Sequence, residues 1–460
     1  MRIALVVNNS GRDLAGLSLL ATELCSNDAT AFLVPMPLQR RELAALAPDF
    51  ILFNQLRPLN QPVVQELVDC GIKFGVLDDE GGVFPNFDWY GRQLAQETGT
   101  RHAASLFCSW GNKLAGYVAQ QGWYRAEALR VTGHPRFDFY APYWKKFEFE
   151  NPFRGEGGAR PLILINTRFS RANPAFGSVE DEVQTLIKSR GFSPEEAQHY
   201  QKQMLGTLHG MAEMTGRLAE QFPDVNFVLR PHPFERLETY TELLNLHSNL
   251  HVTREGSIEN WLRIASGVIH RSCTTAIEAS MCNIPAFSAR WIPFPDDIES
   301  TERVSIQCLS YEELSKHISA IVSGNFHAVA QDKESVIADW FYAVDGKAHQ
   351  RVAQEITAVL QDTTSPDINL ARCGRIAQGI KPDADSMRTL LSRVKQLRSD
   401  KEQQRLDKWV QSSRAFTVSD VEAIVAKIVK CQERSVPRIE AAASHYRCKG
   451  AHGYSVAMRS

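Results

Sequence analysis

Short apolar runs alternate with longer stretches of helical period through the first three hundred residues. Runs at 3–8, 31–35, 50–54, 74–77, 107–109 and 129–131 read as buried strands. A second series follows at 161–167, 227–229, 267–270 and 286–288. This alternation predicts parallel sheets covered by helices on both faces, an α/β fold. Ser193-Pro194-Glu195-Glu196 supplies a cap, a first-position proline and a glutamate three after the cap, so a helix is predicted from there to about Gln221. Met204, Leu205, Leu208, Met211 and Met214 fall at helical spacing on its core face. Gly256-Ser257 opens a short helix containing Trp261, and helical pattern returns over 311–360. The Gly-rich end of 145–158 reads as a linker, and 363–367 as a second one.

The domains expected from this pattern are an N-terminal Rossmann-like domain over 1–145, a second over 159–362 and a helical extension over 366–460. In the extension, 385–410 and 418–429 are helical patterns, with Leu390, Leu391, Val394 and Leu397 on one face. Residues 366–460 hold 18 Lys and Arg against 10 Asp and Glu, although the chain as a whole carries −2. This basic tail suits an anionic lipid surface, a polyanionic glycan or an acidic assembly partner, or is a solvated helical face. Hydrophobic content of 43% and charge of 23% describe an ordinary globular chain, and no run approaches the ~18 apolar residues of a membrane span. Nine scattered cysteines without a C-x-x-C pair, and no signal peptide ahead of the first strand, point to the cytoplasm, peripherally on the inner face of the membrane if the tail binds there.

Candidate chemistry sits where strands end. Arg230-Pro231-His232-Pro233 follows run 227–229, and its prolines stop both strand and helix, leaving Arg230 and His232 on a rigid loop. The run closed by His270 leads into Arg271-Ser272-Cys273-Thr274-Thr275 and a helical opening, with Glu278 one turn further. A cationic loop and a hydroxyl-rich helix start at the carboxyl ends of two strands form a nucleotide crevice in open α/β sheets. The hydroxyls of Ser272, Thr274 and Thr275 and the helix-start N–H groups suit a phosphate, His270 is expected to bind the nucleotide beside them, and Glu278 suits a ribose diol. A simple N-cap and a solvated glutamate are the plainer readings. Asn166-Thr167-Arg168 ends another strand, with Arg168 placed for a phosphate, a sugar carboxylate or a surface ion pair. Asp78-Asp79-Glu80-Gly81-Gly82 puts three adjacent acids after a strand; their repulsion should raise at least one pKa, the mark of a general base or nucleophile, unless the loop is merely an exposed acidic turn. Asp296-Asp297 lies in a Pro-rich loop and lacks D-x-D spacing, so no metal is expected, and without G-x-G-x-x-G no nicotinamide or flavin is either. No cofactor and no nucleic-acid partner are expected.

These segments resemble the bacterial surface carbohydrate biosynthesis proteins, glycosyltransferases with two Rossmann-like domains of GT-B type facing a cleft. The resemblance rests on residues 77–82 (LDDEGG), 131–138 (VTGHPRFD), 163–170 (ILINTRFS), 230–233 (RPHP) and 269–279 (IHRSCTTAIEA). It covers roughly residues 1–300 and departs at His134, where the family pattern has Asn. The family is similar to Kdo transferases and bacterial sialyltransferases, which pair an acidic motif ending in Gly with an HP motif, and to CDP-glycerol glycerophosphotransferases.

The resemblance implies transfer of a sugar from a nucleotide donor, a CMP-activated acidic sugar such as Kdo or a sialic-acid-like residue, to a glycan or lipid-linked glycan acceptor. Asp79 would correspond to the catalytic acid and Glu80 to its neighbour, an offset that three consecutive acids leave open. His232 would hold the departing phosphate, perched opposite the acids, with Asp78, Gly81, Arg230 and Pro233 completing the loops. CDP-linked polyol phosphate transfer, and a non-catalytic glycan-binding or assembly protein, are the rival readings.

Overall fold

The computed structural model describes residues 1–58, 60–94, 98–147, 150–153, 160–244, 247–327, 332–361, 367–378, 415–443 and 455–460. The chain divides into two units: Met1–Gly82, Gln93–Glu148 and Ile337–Ser460 form the first, and Val83–Arg92 with Phe149–Val336 the second.

In the first unit, β1 (Arg2–Val7), β2 (Thr30–Pro35), β3 (Phe50–Phe53), β4 (Lys73–Leu77), β5 (Leu106–Ser109) and β6 (Leu129–Val131) are parallel, in the order β2-β1-β3-β4-β5-β6. In the second, β7 (Leu162–Asn166), β8 (Asn226–Arg230), β9 (Leu250–Val252), β10 (Gly267–His270), β11 (Ala286–Ala289) and β12 (Ile306–Cys308) are parallel, in the order β12-β11-β10-β7-β8-β9. Central strands such as β3, β7 and β10 bury every residue, which explains their unbroken apolar sequences. Each sheet reverses its strand order once, between β1 and β3 in the first and between β7 and β10 in the second. Open α/β sheets bind ligands outside the carboxyl ends of the strands at such a point.

The helix Pro194–Gln221 begins with the expected reciprocal cap between Ser193 and Glu196. Met204, Leu208, Met211 and Met214 are buried against the second sheet, whereas Leu205 is 43% exposed. Leu205 lies ~100° round the helix from Met204, which turns it away from the sheet.

Three sequence expectations need correction. The helix Ala348–Gln361, expected in the second domain, belongs to the first unit. Asp138 draws it there: its carboxylate accepts the Ala348 N–H at 2.9 Å and the His349 N–H at 2.8 Å, and His349 Nδ1 lies 2.7 Å away. Residues 83–92, expected in the first domain, group with the second unit. The extension is not purely helical: after the helix Val418–Gln432, β13 (Arg438–Ala441) and β14 (Val456–Arg459) form an antiparallel ribbon, and β14 pairs antiparallel with β2. That ribbon covers backbone groups β2 would otherwise present at the edge of the parallel sheet. The expected helix 385–410, with Leu390, Leu391, Val394 and Leu397, lies outside the described residues, as does linker residue range 363–366. No helix among the described residues is long and apolar enough to cross a membrane.

Candidate functional site

The first unit gathers its polar residues at the carboxyl ends of β1, β3 and β4, around the switch point. Asp79, just beyond β4, is 4% exposed. Its Oδ2 accepts three donors: Asn8 Nδ2 at 2.5 Å, Arg12 Nη2 at 2.8 Å and Asn54 Nδ2 at 3.2 Å. Oδ1 is buried with no hydrogen-bond partner, as are the Oδ1 atoms of Asn8 and Asn54. Burial raises the Asp79 pKa to about 6, outweighing the opposing pull of Arg12, with Glu80, Asp13 and Asp78 pushing the same way as burial. Arg12 also pairs with Asp13 at 2.8 Å and Glu80 at 3.2 Å. Burial opposes its charge, but these three carboxylates overcome that and hold its pKa well above the ordinary value. A small cavity bounded by Asp13, Asn54, Asp79, His134, Val6 and Leu17 adjoins the carboxylate, with room for about one water molecule.

The three acids therefore differ. Asp79 is buried with a raised pKa, and the Glu80 side chain is 49% exposed on the rim. Asp78, expected to bind substrate, is 1% exposed and held by Arg57 at 2.8 Å, and its Oδ1 accepts the Glu80 N–H. Its role is to shape the turn. The glycines that follow are required by packing: a Cβ on Gly82 would sit 2.3 Å from Trp110 Cε3, and one on Gly81 3.0 Å from Trp110 Nε1. His134, at the departure from the family pattern, lies edge-on to Trp110, and burial lowers its pKa to about 3, so it is a neutral ring.

In the second unit the candidate residues converge at the carboxyl ends of β7, β8 and β10. Asn166, at the end of β7, donates to Thr275 Oγ1 at 2.7 Å across the switch point, and its own Oδ1 is buried without a partner. Arg168 donates to the Ser272 carbonyl at 2.7 Å and lies over Phe294. Thr274 is exposed and makes no cap bond. Arg230 donates to the Gly256 carbonyl at 2.7 Å and lies over Trp261; burial lowers its pKa to about 10 against the nearby charges of Glu259 and Glu278. Glu278 is buried on the helix Thr275–Met281. His232 is half-buried beside exposed Pro233. Its Nδ1 accepts the Phe234 N–H at 3.2 Å, which leaves the proton of the neutral ring on Nε2, and it stacks on Phe234.

Two expected ligand-binding residues serve the scaffold. His270 is fully buried, with Nε2 2.8 Å from Ser305 Oγ and Nδ1 accepting the Cys273 N–H. Ser272 is also fully buried; its hydroxyl accepts the Ile298 N–H at 2.6 Å and lies 3.2 Å from Thr301 Oγ1. Its φ of 54° turns the chain, so that Thr274, two residues on, reaches the surface. The helix it precedes has seven residues, too short for a strong dipole at the phosphate position. Asp297 pairs with Arg271 and Arg290, and Asp296 with the Tyr200 hydroxyl, so both act as ion-pair and hydrogen-bond partners.

Sequence reasoning passed over Arg12, Asn8, Asn54 and Glu235. Arg12 lies in the polar stretch after β1, which turned out to be the start of the helix Ser10–Ser26. Glu235 ends the RPHPFE segment and is fully buried. Its carboxylate accepts the Phe169 N–H at 2.7 Å, the Thr167 hydroxyl at 2.9 Å, the His232 N–H at 3.3 Å and the Tyr240 hydroxyl. Burial raises its pKa to about 7, and these four donors pull it down. Its only sequence signal was an acid two residues after the HP dipeptide.

No family model matches the sequence, and no curated protein matches it either. Solved structures do. Staphylococcus aureus MnaA, solved with UDP, superposes with a TM-score of 0.51 at 11% identity, over 78% of this chain and 97% of that one. A Listeria monocytogenes structure named as a UDP-N-acetylglucosamine 2-epimerase gives 0.52 at 15% identity, over 80% and 98%. A further UDP-N-acetylglucosamine 2-epimerase gives 0.50 at 11% identity, over 79% and 96%. At such identities the likeness is one of architecture: the chain has the GT-B type of fold, two Rossmann-like α/β units each built on a parallel sheet.

Proposed function

We propose that this protein is a nucleotide-sugar-dependent glycosyltransferase of bacterial surface-glycan biosynthesis, acting in the cytoplasm. The observation that carries the reading is the cluster at the β7/β10 switch point. Asn166 bridges to Thr275, Arg168 is fixed on the Ser272 carbonyl, and Thr274 is exposed at the start of the following helix. This is the polar, cationic, hydroxyl-bearing edge that a nucleotide phosphate requires. The order of the family-like motifs supports the same reading.

In this mechanism Thr274, Thr275 and Arg168 hold the phosphate of the donor, and His232 offers its Nε2–H to the oxygen that leaves with the nucleotide. Neutralising that developing charge by fixed donors is the main catalytic contribution of this unit. Asp79 supplies the complementary chemistry. With a pKa near 6 it is suited to act as a base at neutral pH, taking the proton of an acceptor hydroxyl. Attack by the carboxylate itself would give a covalent glycosyl-enzyme and retention. Oδ1 of Asp79 is buried and makes no hydrogen bond, beside a cavity that admits about one water, so either role requires the carboxylate to become exposed to the acceptor. Glu80, exposed beside it, is the rim residue.

The donor fitted to the family-like motifs is a CMP-linked acidic sugar, and the acceptor a glycan or lipid-linked glycan, with the basic tail meeting the membrane or an assembly partner. Donor profiling with CMP-, CDP- and UDP-linked compounds tests this. Turnover of a CMP-sugar supports it, and turnover of CDP-glycerol alone replaces it with polyol phosphate transfer. Retention of turnover in each of Asp79→Ala, Glu80→Ala and His232→Ala refutes the assigned roles.

A further inference from the structure

Glu235 is the fully buried carboxylate at which two ligand-side loops meet. One loop, after β7 and its last residue Asn166, carries Thr167 and Arg168; the other, after β8 and its last residue Arg230, carries His232. Each carboxylate oxygen has a distinct set of donors. Oε1 takes two backbone N–H groups, one per loop: Phe169 at 2.7 Å and His232 at 3.3 Å. Oε2 takes two hydroxyls, Thr167 at 2.9 Å and Tyr240. Backbone bonds run beside this junction, with Ala175 N–H to the Phe234 carbonyl at 2.8 Å and Arg236 N–H to the Asn173 carbonyl at 3.1 Å. The Thr167 N–H also reaches the Arg230 carbonyl at 3.3 Å and ties the two strand ends directly; among the described residues only the side chain of Glu235 reaches the N–H of His232 and that of Phe169 together.

We propose that Glu235 is the positioning residue of the site, fixing the His232 loop and the Asn166–Arg168 loop in the single relative geometry that a nucleotide phosphate needs. This rests on the reading of those loops as the phosphate site. Glu235 touches no ligand; it acts through His232 and Thr167. The chemistry of its partners makes a specific demand. The two N–H groups can only donate, so Oε1 must remain an acceptor, whereas hydroxyls can accept as readily as donate. A glutamine satisfies all four: its Oε1 faces the amides and its Nε2–H groups donate to Thr167 and Tyr240. An alanine leaves two buried N–H groups unpaired.

The test measures CMP, CDP and UDP binding to the full chain by calorimetry, for wild type, Glu235→Ala, Glu235→Gln and Asn249→Ala. Asn249 donates to three carbonyls at the opposite, amino-terminal end of β9 and controls for general destabilisation of the unit. The expected result is roughly a tenfold or greater loss of affinity in Glu235→Ala, with Glu235→Gln and Asn249→Ala within about threefold of wild type. Wild-type affinity in Glu235→Ala overturns the proposal, as does equal loss in Glu235→Gln, which would mean that the charge and not the acceptor geometry matters. Should Glu235→Ala not fold, Tyr240→Phe, which removes one donor and keeps the volume, is expected to bind with intermediate affinity; unchanged affinity there counts against the proposal. Amide exchange at Phe169 and His232 separates this proposal from the function itself. If wild type binds no nucleotide, the functional reading fails. The proposal then stands only if exchange at both amides rises in Glu235→Ala and stays low in Glu235→Gln.

Discussion

Replacing Glu235 by glutamine should stabilise this protein, and only above a definite pH. The carboxyl is fully buried, and burial raises its pKa to about 7 from an ordinary 4.5. Between those values the unfolded chain has released the proton while the folded chain still holds it, so the folded state binds more protons. Stability from this group is therefore lost as pH rises through the window from about 4.5 to about 7. A shift of that size corresponds to about 3 kcal/mol, fully expressed near pH 8. Glutamine keeps the acceptor for Phe169 and His232 and has no charge to bury, so it escapes the loss. Glu235→Gln and wild type should melt together near pH 4 and separate progressively above it. By pH 8 the variant should melt higher by roughly 6–12 °C, as a gain of this size implies for a unit of 150–250 residues. Scanning calorimetry of both proteins from pH 4 to 8 checks this. A difference that does not change with pH, or a variant that is less stable at pH 8, would refute the reasoning, because the buried carboxyl would then not be titrating as its surroundings require.

Other consequences follow from the same geometry. Gly82→Ala should cost about 1–3 kcal/mol and impair turnover, because its Cβ would come within 2.3 Å of the buried Trp110 ring, while Gly81→Ala, at 3.0 Å, should be milder; thermal melts and activity of the pair decide it. Arg12→Met should destabilise the first unit by about 3 kcal/mol, since it strips a shared cation from buried Asp79 and Asp13, as a denaturant titration would record. Ser272→Ala should lower stability by about 1–3 kcal/mol by orphaning the Ile298 N–H, yet leave nucleotide affinity near wild type, in contrast to Thr274→Val, which should weaken affinity with little change in melting temperature. Met458→Ala should cost about 2–5 kcal/mol, because the side chain is fully buried where β14 joins β2.

The sheets were legible because their central strands are buried on both faces, which leaves uninterrupted apolar runs such as ILF at β3 and GVIH at β10. The edge strands β9 and β12 were not, because LHV and IQC are only three residues long and each is broken by a polar residue. Nor was the terminal ribbon, whose pairing with β2 is fixed across the full length of the chain. The acidic loop and the RPHP loop announced themselves through charge and proline. Which acid joins the Arg12 cluster could not be read, because Asp78 and Asp79 are both buried and are distinguished only by their partners, Arg57 for one and Arg12 with two asparagines for the other. Ser272 and His270 misled for a related reason: a hydroxyl or imidazole at a strand's end has the same sequence signal whether it faces a ligand or the Ile298 and Ser305 scaffold.

The central claim, that the β7, β8 and β10 loops hold a nucleotide phosphate, is tested most directly by calorimetric binding of CMP, CDP and UDP to wild type and His232→Ala. One of the three should bind wild type with Kd below about 1 mM and bind His232→Ala at least roughly tenfold more weakly. Absence of binding by all three to folded wild-type protein, or equal affinity in the variant, would contradict it.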